Sequence, residues 1–211
     1  MPRTLARIAA ALVAPAALLL APVSADAALP TRVSCISDEV VLTADNTHYE
    51  LIGACGIVFV EADNATVTMS TATRLVVSGE NTTVTAKTQI LVEITGSSSA
   101  VAMTSAKALS MTGTGSSAAV TGLVEGVTAR ADGTSLTADR THVLVVAGTD
   151  NVVDVRRGFR TRVIGDENAV THRRLDRLRV RGDANTVTVA AGRTATKVVG
   201  AHNHVSVQKR R

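Results

Sequence analysis

The sequence predicts an all-β fold: a single-stranded parallel β-helix, or β-solenoid, of about ten rungs with a period of ~17 residues. Three observations carry this expectation. A G-x-x-N-x-V register recurs as Gly148, Asn151, Val153; Gly165, Asn168, Val170; Gly182, Asn185, Val187; and Gly200, Asn203, Val205, its valines 17, 17 and 18 residues apart. Within each repeat, apolar and polar residues alternate with the period of two that belongs to strands. The four prolines, Pro2, Pro15, Pro22 and Pro30, all lie near the N-terminus, so from Thr31 onward nothing removes a ladder donor and each strand can have neighbours on both sides.

At the N-terminus, Arg3 and Arg7 precede the apolar run Ile8 to Ala21, and Ala25-Asp26-Ala27 fits a small-residue cleavage site, so residues 1–27 read as a secretory signal peptide. The apolar run is shorter than the ~20 residues that span a bilayer, and no cysteine follows closely enough for a lipoprotein anchor. Residues 28–211 are therefore expected to form one exported solenoid domain, secreted or held in the periplasm or cell envelope, with no transmembrane span. Cys35 and Cys55 are the only cysteines and are expected to form a disulfide in that oxidising setting. No His or carboxylate cluster surrounds them to complete a zinc site, and neither metal nor cofactor is expected. With no Trp and only Tyr49, Phe59 and Phe159 as aromatics, the core must be thin, regular and β-branched.

Upstream of Gly148 the apolar slot of the register is filled by Tyr49, Val67, Val84, Val101, Val120 and Leu136. Two residues before the Gly slot stand Val77, Ile94, Val146, Val163, Val180 and Val198; four before it stand Leu75, Val92, Met111, Leu144 and Leu178. These positions are expected to face inward, because one rung cannot bury its apolar face alone whereas stacked rungs bury a continuous core. Ten rungs at the ~4.8 Å spacing of paired strands make a rod of roughly 48 Å. The Gly slot supplies positive φ at a corner. Asn151, Asn168, Asn185 and Asn203 are expected to take the left-handed region and to join their amides in a ladder along the axis. Asn64-Ala65-Thr66 and Asn81-Thr82-Thr83 match the glycosylation acceptor pattern but sit at the same corners.

Cys35, then Ala44 to Cys55 (ADNTHYELIGAC), then tandem G-x-x-N-x-V-x-V rungs together resemble a family of exported bacterial domains of unknown function. Its members carry a Cys, a G-x-N-x-x-x-x-x-G-x-C step and repeated Gly/Asn/Val rungs. The resemblance covers roughly Val33 to Val207 and implies a parallel β-solenoid and secretion, with no catalytic residues to carry over. Ala44 and Ala62 stand where the family has Gly, and between Gly113 and Gly133 Asn is absent and the spacing wanders.

The stretch VRRGFRTRVIG (Val155 to Gly165) returns 17 residues later as HRRLDRLRVRG (His172 to Gly182). If residues 17 apart stack, Arg156, Arg157, Arg160 and Arg162 lie beside Arg173, Arg174, Arg177 and Arg179, and the last column continues to Lys197. Two unit charges ~5 Å apart repel by ~1 kcal/mol in water and by several times that beside a low-dielectric wall. Charge is also one-sided along the rod. Residues 156–211 carry 14 Lys plus Arg against four acids, net +10, while residues 28–155 carry 6 against 13, net −7.

Such asymmetry points to an anionic partner at the basic end. The reading favoured here is an exported, non-enzymatic protein whose basic C-terminal rungs contact an anionic envelope polymer or an acidic protein. The alternative is a structural rod that associates end to end, acidic half to basic half. Nucleic acid is not expected, since Phe159 is the only aromatic among the basic residues and offers no stacking platform. A Thr ladder beside the Val slot resembles that of ice-binding solenoids, a minor alternative, but it is broken by Ala, as at Ala119, and by Val152, Asp154 and His204 in the same outward series. For an enzyme the acids would have to gather on one face, and they read as scattered among corners with no pair sharing a slot on neighbouring rungs. His202 and His204, with His172 as a weak third, read as strand surface rather than as metal ligands.

Overall fold

The structure, a computed structural model, describes residues 29–208. The predicted signal peptide lies outside the described residues. Among these, the chain forms 17 strands and no helix: β1 (Thr31–Ser34), β2 (Glu39–Leu42), β3 (His48–Ile52), β4 (Ala54–Val60), β5 (Thr66–Thr68), β6 (Thr71–Val77), β7 (Thr83–Thr85), β8 (Thr88–Ile94), β9 (Ala100–Met103), β10 (Ser105–Met111), β11 (Ser117–Ala129), β12 (Ser135–Ala147), β13 (Val152–Ile164), β14 (Ala169–Arg181), β15 (Thr186–Val189), β16 (Ala195–Val199) and β17 (His204–Val207). All pairings are parallel, and they sort the strands into two files. One runs β1, β3, β5, β7, β9, then the first halves of β11 to β14, then β15 and β17. The other runs β2, β4, β6, β8, β10, then the second halves of β11 to β14, then β16. The fold is thus the parallel β-solenoid of about ten turns with a period of ~17 that the register predicts.

Alternation explains the files, and its interruptions explain the shape of the coil. In the rung that starts at β5, the buried residues are Val67, Met69, Ala72, Leu75 and Val77, spaced two, three, three and two apart. Steps of two belong to flat strand, and the steps of three are corners at which consecutive residues both point outward. Each inward position then continues as an axial file, such as Val67, Val84, Val101 or Val146, Val163, Val180, all buried. Deleting one of the larger members, such as Leu75 or Leu144, would remove contacts to the rungs above and below and cost about 2–5 kcal/mol.

The middle rungs depart from the predicted alignment. Ala118, not Val120, stands between Val101 and Leu136 in the apolar file, and Val120 stands beside Met103 and Ala138. Likewise Met111 pairs with Ile94, two before the Gly slot, and Leu109 takes the position four before it. Both errors are two-residue slips, which preserve the inward direction and so leave no trace in the alternation. The register of β11 on β12 shifts between Val120 and Leu123, where β11 accommodates an extra residue at the corner.

The turn is built by two stacked files. Gly182 has φ +132°, and a Cβ there would lie 2.0 Å from the Gly165 carbonyl oxygen, so neither the dihedral nor the space admits a side chain. Beside this file runs the predicted asparagine ladder. The Nδ2 groups of Asn151, Asn168 and Asn185 donate to the Oδ1 of Asn168, Asn185 and Asn203 at 2.9, 3.0 and 3.0 Å. The same Oδ1 atoms accept the backbone N–H of the preceding rung's asparagine. One expectation needs correction. The left-handed residue is not the ladder asparagine but the one before it, Asp150, Glu167, Ala184 or His202. The ladder residue must stay extended to aim its amide inward. Upstream, the left-handed position is held by Asn46, Asn64 and Asn81, so the two glycosylation-like asparagines do sit at corners. Cys35 and Cys55 are joined as a disulfide, with Cα atoms 4.9 Å apart, closing the first rung.

Candidate anion-binding site

Register brings the cations together as the 17-residue spacing requires. On β13 and β14, Arg157 lies beside Arg174, Arg160 beside Arg177 and Arg162 beside Arg179, and β16 adds Lys197 beside Arg179. Arg156 and Arg173 share the same step, since the pairs Val155–His172 and Arg157–Arg174 flank them. All of these side chains are exposed. One member escaped the sequence reading. Arg140 lies beside Arg157, so Arg140, Arg157 and Arg174 form an axial file of three. The 17-residue interval was its signal, masked by its place in the acidic part of the chain.

The cations are not equivalent, because one carboxylate engages Arg156. Arg156 donates a hydrogen bond to Asp139, and Arg140 approaches the other oxygen of that carboxylate at 3.5 Å. The Arg156 hydrogen bond holds the Asp139 carboxyl below the usual carboxylate range, and the same contact raises the Arg156 guanidinium. Among the described residues no ion pair reaches Arg157, Arg173 or Arg174, nor the five cations Arg160, Arg162, Arg177, Arg179 and Lys197. Four of these five line a concavity of about 340 Å³ whose floor is Thr161 and Leu178 and whose walls carry no acid. A neighbouring concavity of about 300 Å³ is lined by Arg140, Arg157 and Arg174 but also by Asp176, and shares its Arg140 with Asp139. The candidate site therefore contracts to the first group.

Nothing in the fold asks for arginine there. The outward slots of Arg160 and Arg162 are filled one rung upstream by Val143 and Val145, which build the same strand without like-charge repulsion. The aromatic at the corner is also accounted for. The Phe159 ring stacks on His142 at 4.9 Å and carries the Arg177 guanidinium 5.6 Å from its centroid, so Phe159 positions Arg177.

Two further expectations are overturned by burial and register. His172 is not strand surface but fully buried, in the file that holds Val155 and Val189. Gly158 makes the room: a Cβ there would lie 2.9 Å from Leu175 and 3.0 Å from the His172 ring. The His172 Nε2 pairs with the Thr161 hydroxyl at 3.0 Å, while its Nδ1 has no partner in hydrogen-bond geometry. Burial lowers its pKa to about 4, with only a partial offset from the Val155 backbone. The acids, too, do share slots on neighbouring rungs. Asp45 accepts the N–H of Asp63, and Asp166 accepts the N–H of Asp183, each at 2.7 Å. Asp63, Asp132 and Asp183 accept from Glu80, Thr149 and Ala201 in the same way. These carboxylates cap the corner where the chain steps between rungs, and among the described residues no three His, Cys, Asp or Glu cluster as a metal site.

The outward file on the first face corrects to Ser117 and Ala119 where Val120 had been taken as the reference, which shortens the Thr series further. No family model, curated protein or solved structure matches the chain.

Proposed function

We infer that this chain is an exported, non-catalytic solenoid, of the family whose Cys and Gly/Asn/Val pattern it resembles, that holds an anionic polymer or acidic partner of the cell envelope. The observation that carries the reading is the set of unpaired cations Arg160, Arg162, Arg177, Arg179 and Lys197, stacked on one face in slots that aliphatic residues fill equally well upstream. Repulsion within such a set weakens the fold unless an anion neutralises it. The guanidinium fork accepts carboxylate or phosphate in two parallel hydrogen bonds. Sedimentation with anionic wall material tests the reading. The native protein should co-sediment at low ionic strength and be released by ~0.5 M salt, where screening acts within a few Å. The variant with Arg160, Arg162, Arg177 and Arg179 changed to Gln should stay in the supernatant. Equal retention of both proteins would discard the reading.

End-to-end association keeps one specific support. All five residues of β16 are exposed and, among the described residues, the strand pairs on one side only, with β14. This second reading requires a mass that rises with protein concentration when no polyanion is present.

A further inference from the structure

We propose that the group held at this face is a phosphate monoester, seated as a dianion in the concavity between β13 and β14 with Arg160, Arg162, Arg177 and Arg179 around it. The proposal rests on the anion-binding reading above and adds the chemical class of the group recognised. Register makes the four cations a set. Arg160 and Arg162 stand two residues apart on β13, Arg177 and Arg179 two apart on β14, and each of the first pair has one of the second as its Cα partner. With ~4.8 Å between neighbouring strands and ~3.3 Å per residue along them, the four Cα atoms mark a rectangle of roughly 5 by 7 Å. The side chains wall one concavity of about 340 Å³, and its other lining residues, Thr161 and Leu178, are buried and bring no charge.

The charge and shape of the ligand follow from that set. A carboxylate brings one negative charge and two oxygens in one plane, which a single guanidinium fork satisfies. It would leave three of the four cations unneutralised. A phosphate monoester brings close to two charges and three acceptor oxygens that point apart from one another, so forks arriving from opposite sides each find a partner. One corner of the set is held in advance. Phe159, stacked on His142, carries the Arg177 guanidinium 5.6 Å from its ring centroid, which reduces the side-chain freedom lost on binding. The neighbouring concavity supplies the contrast. It is lined by Arg140, Arg157 and Arg174, but Asp176 shares its wall, and that carboxylate repels a dianion twice as strongly as a monoanion.

Calorimetry at low salt with three small anions tests this: glycerol phosphate, which is a monoester; dimethyl phosphate, the singly charged diester; and acetate. Glycerol phosphate should bind once per chain and roughly tenfold or more tighter than either of the others. Arg160→Gln and Arg179→Gln, at opposite corners, should each weaken it several-fold, and the double variant should abolish it. Arg156→Gln, which removes a guanidinium already engaged by Asp139, should leave it near the native value. Melting curves for the variants separate lost binding from damage to the fold. Vesicles of neutral lipid with phosphatidic acid, whose head group is a monoester, then distinguish the source. Capture that free glycerol phosphate reverses marks a lipid head group, and binding of free glycerol phosphate without capture marks a soluble molecule or polymer; both results support the monoester. Glycerol phosphate binding no tighter than dimethyl phosphate or acetate, while anionic wall material is still retained, would overturn the monoester and leave the anion-binding reading intact. Equal losses in Arg156→Gln and Arg179→Gln would overturn its placement in this concavity. Failure of every anion, wall material included, would remove the reading itself and this inference with it.

Discussion

In the rungs of β5 to β10 the turn is closed by hydroxyls, and in those of β13 to β15 by amides. Thr82 and Ser99 each donate one hydrogen bond to a carbonyl of the preceding rung, Ala62 and Gly79, at 2.6 and 2.7 Å. In the same slot Asn168 and Asn185 donate to Gly148 and Gly165 at 2.9 and 2.8 Å and also to the next asparagine. A hydroxyl has one proton, so it can serve the carbonyl or its neighbour but not both. The amide serves both, and its ladder locks rungs whose outer surface carries repelling arginines. Between the two regions stands Ser116, whose buried hydroxyl has no partner among the described residues. A single backbone path thus accepts different closures, and the one with more hydrogen bonds coincides with the charged rungs.

The largest expected effect comes from breaking the amide ladder. Asn168→Ala strands the Gly148 carbonyl and the partner groups on Asn151 and Asn185, and should lower stability by about 4 kcal/mol in denaturant unfolding, since each buried unpaired group costs about 1–3 kcal/mol. Thr82→Ala, which strands the Ala62 carbonyl and also loses the weaker 3.3 Å bond from the Ala65 N–H, should cost about 1–2 kcal/mol. If the two variants unfold alike, the contrast between the closures is wrong.

The core under the basic face should respond to acid. His172 has a folded pKa of about 4 against an unfolded value of 6.5. The unfolded chain therefore takes up a proton that the folded chain refuses, and stability is full above pH 6.5 and falls as pH drops toward 4. The loss should approach about 3 kcal/mol. His172→Val, which matches Val155 and Val189 in its file, should flatten the stability profile across that interval.

At the other end of the rod, replacing Cys35 and Cys55 by Ser should cost about 2–3 kcal/mol. Because contacts in a solenoid are made between adjacent rungs, hydrogen exchange should speed up around β1 to β4 and stay unchanged at the asparagine ladder. The smallest effect is expected at Ser116→Ala, within about 0.5 kcal/mol of the native protein by thermal melting, because no hydrogen bond is lost.

The files of Gly, Asn and Val were legible because the crowded positive-φ glycine position, the axial amide and the buried branched side chain each admit few residue types. The same spacing placed Arg157 beside Arg174 and Arg162 beside Arg179 without any knowledge of contacts. Val120 and Met111 were misplaced because a slip of two keeps both inward. His172 was misread by residue type alone: it stands two residues after Val170 on a period of two, which already marked it as inward. What the sequence could not disclose was pairing. That Asp139 engages Arg156 and leaves Arg162 and Arg179 alone depends on where side chains lie around the coil, on which spacing along the chain is silent.

The central claim is that unpaired stacked cations, and not positive charge in general, bind the anion. Arg156→Gln and Arg179→Gln remove the same charge from the same region, one from a paired site and one from the open file. The most direct test is the affinity of each for an anionic polysaccharide at low salt. The account predicts that Arg179→Gln weakens binding several-fold while Arg156→Gln leaves it near the native value. Equal losses in both would contradict it.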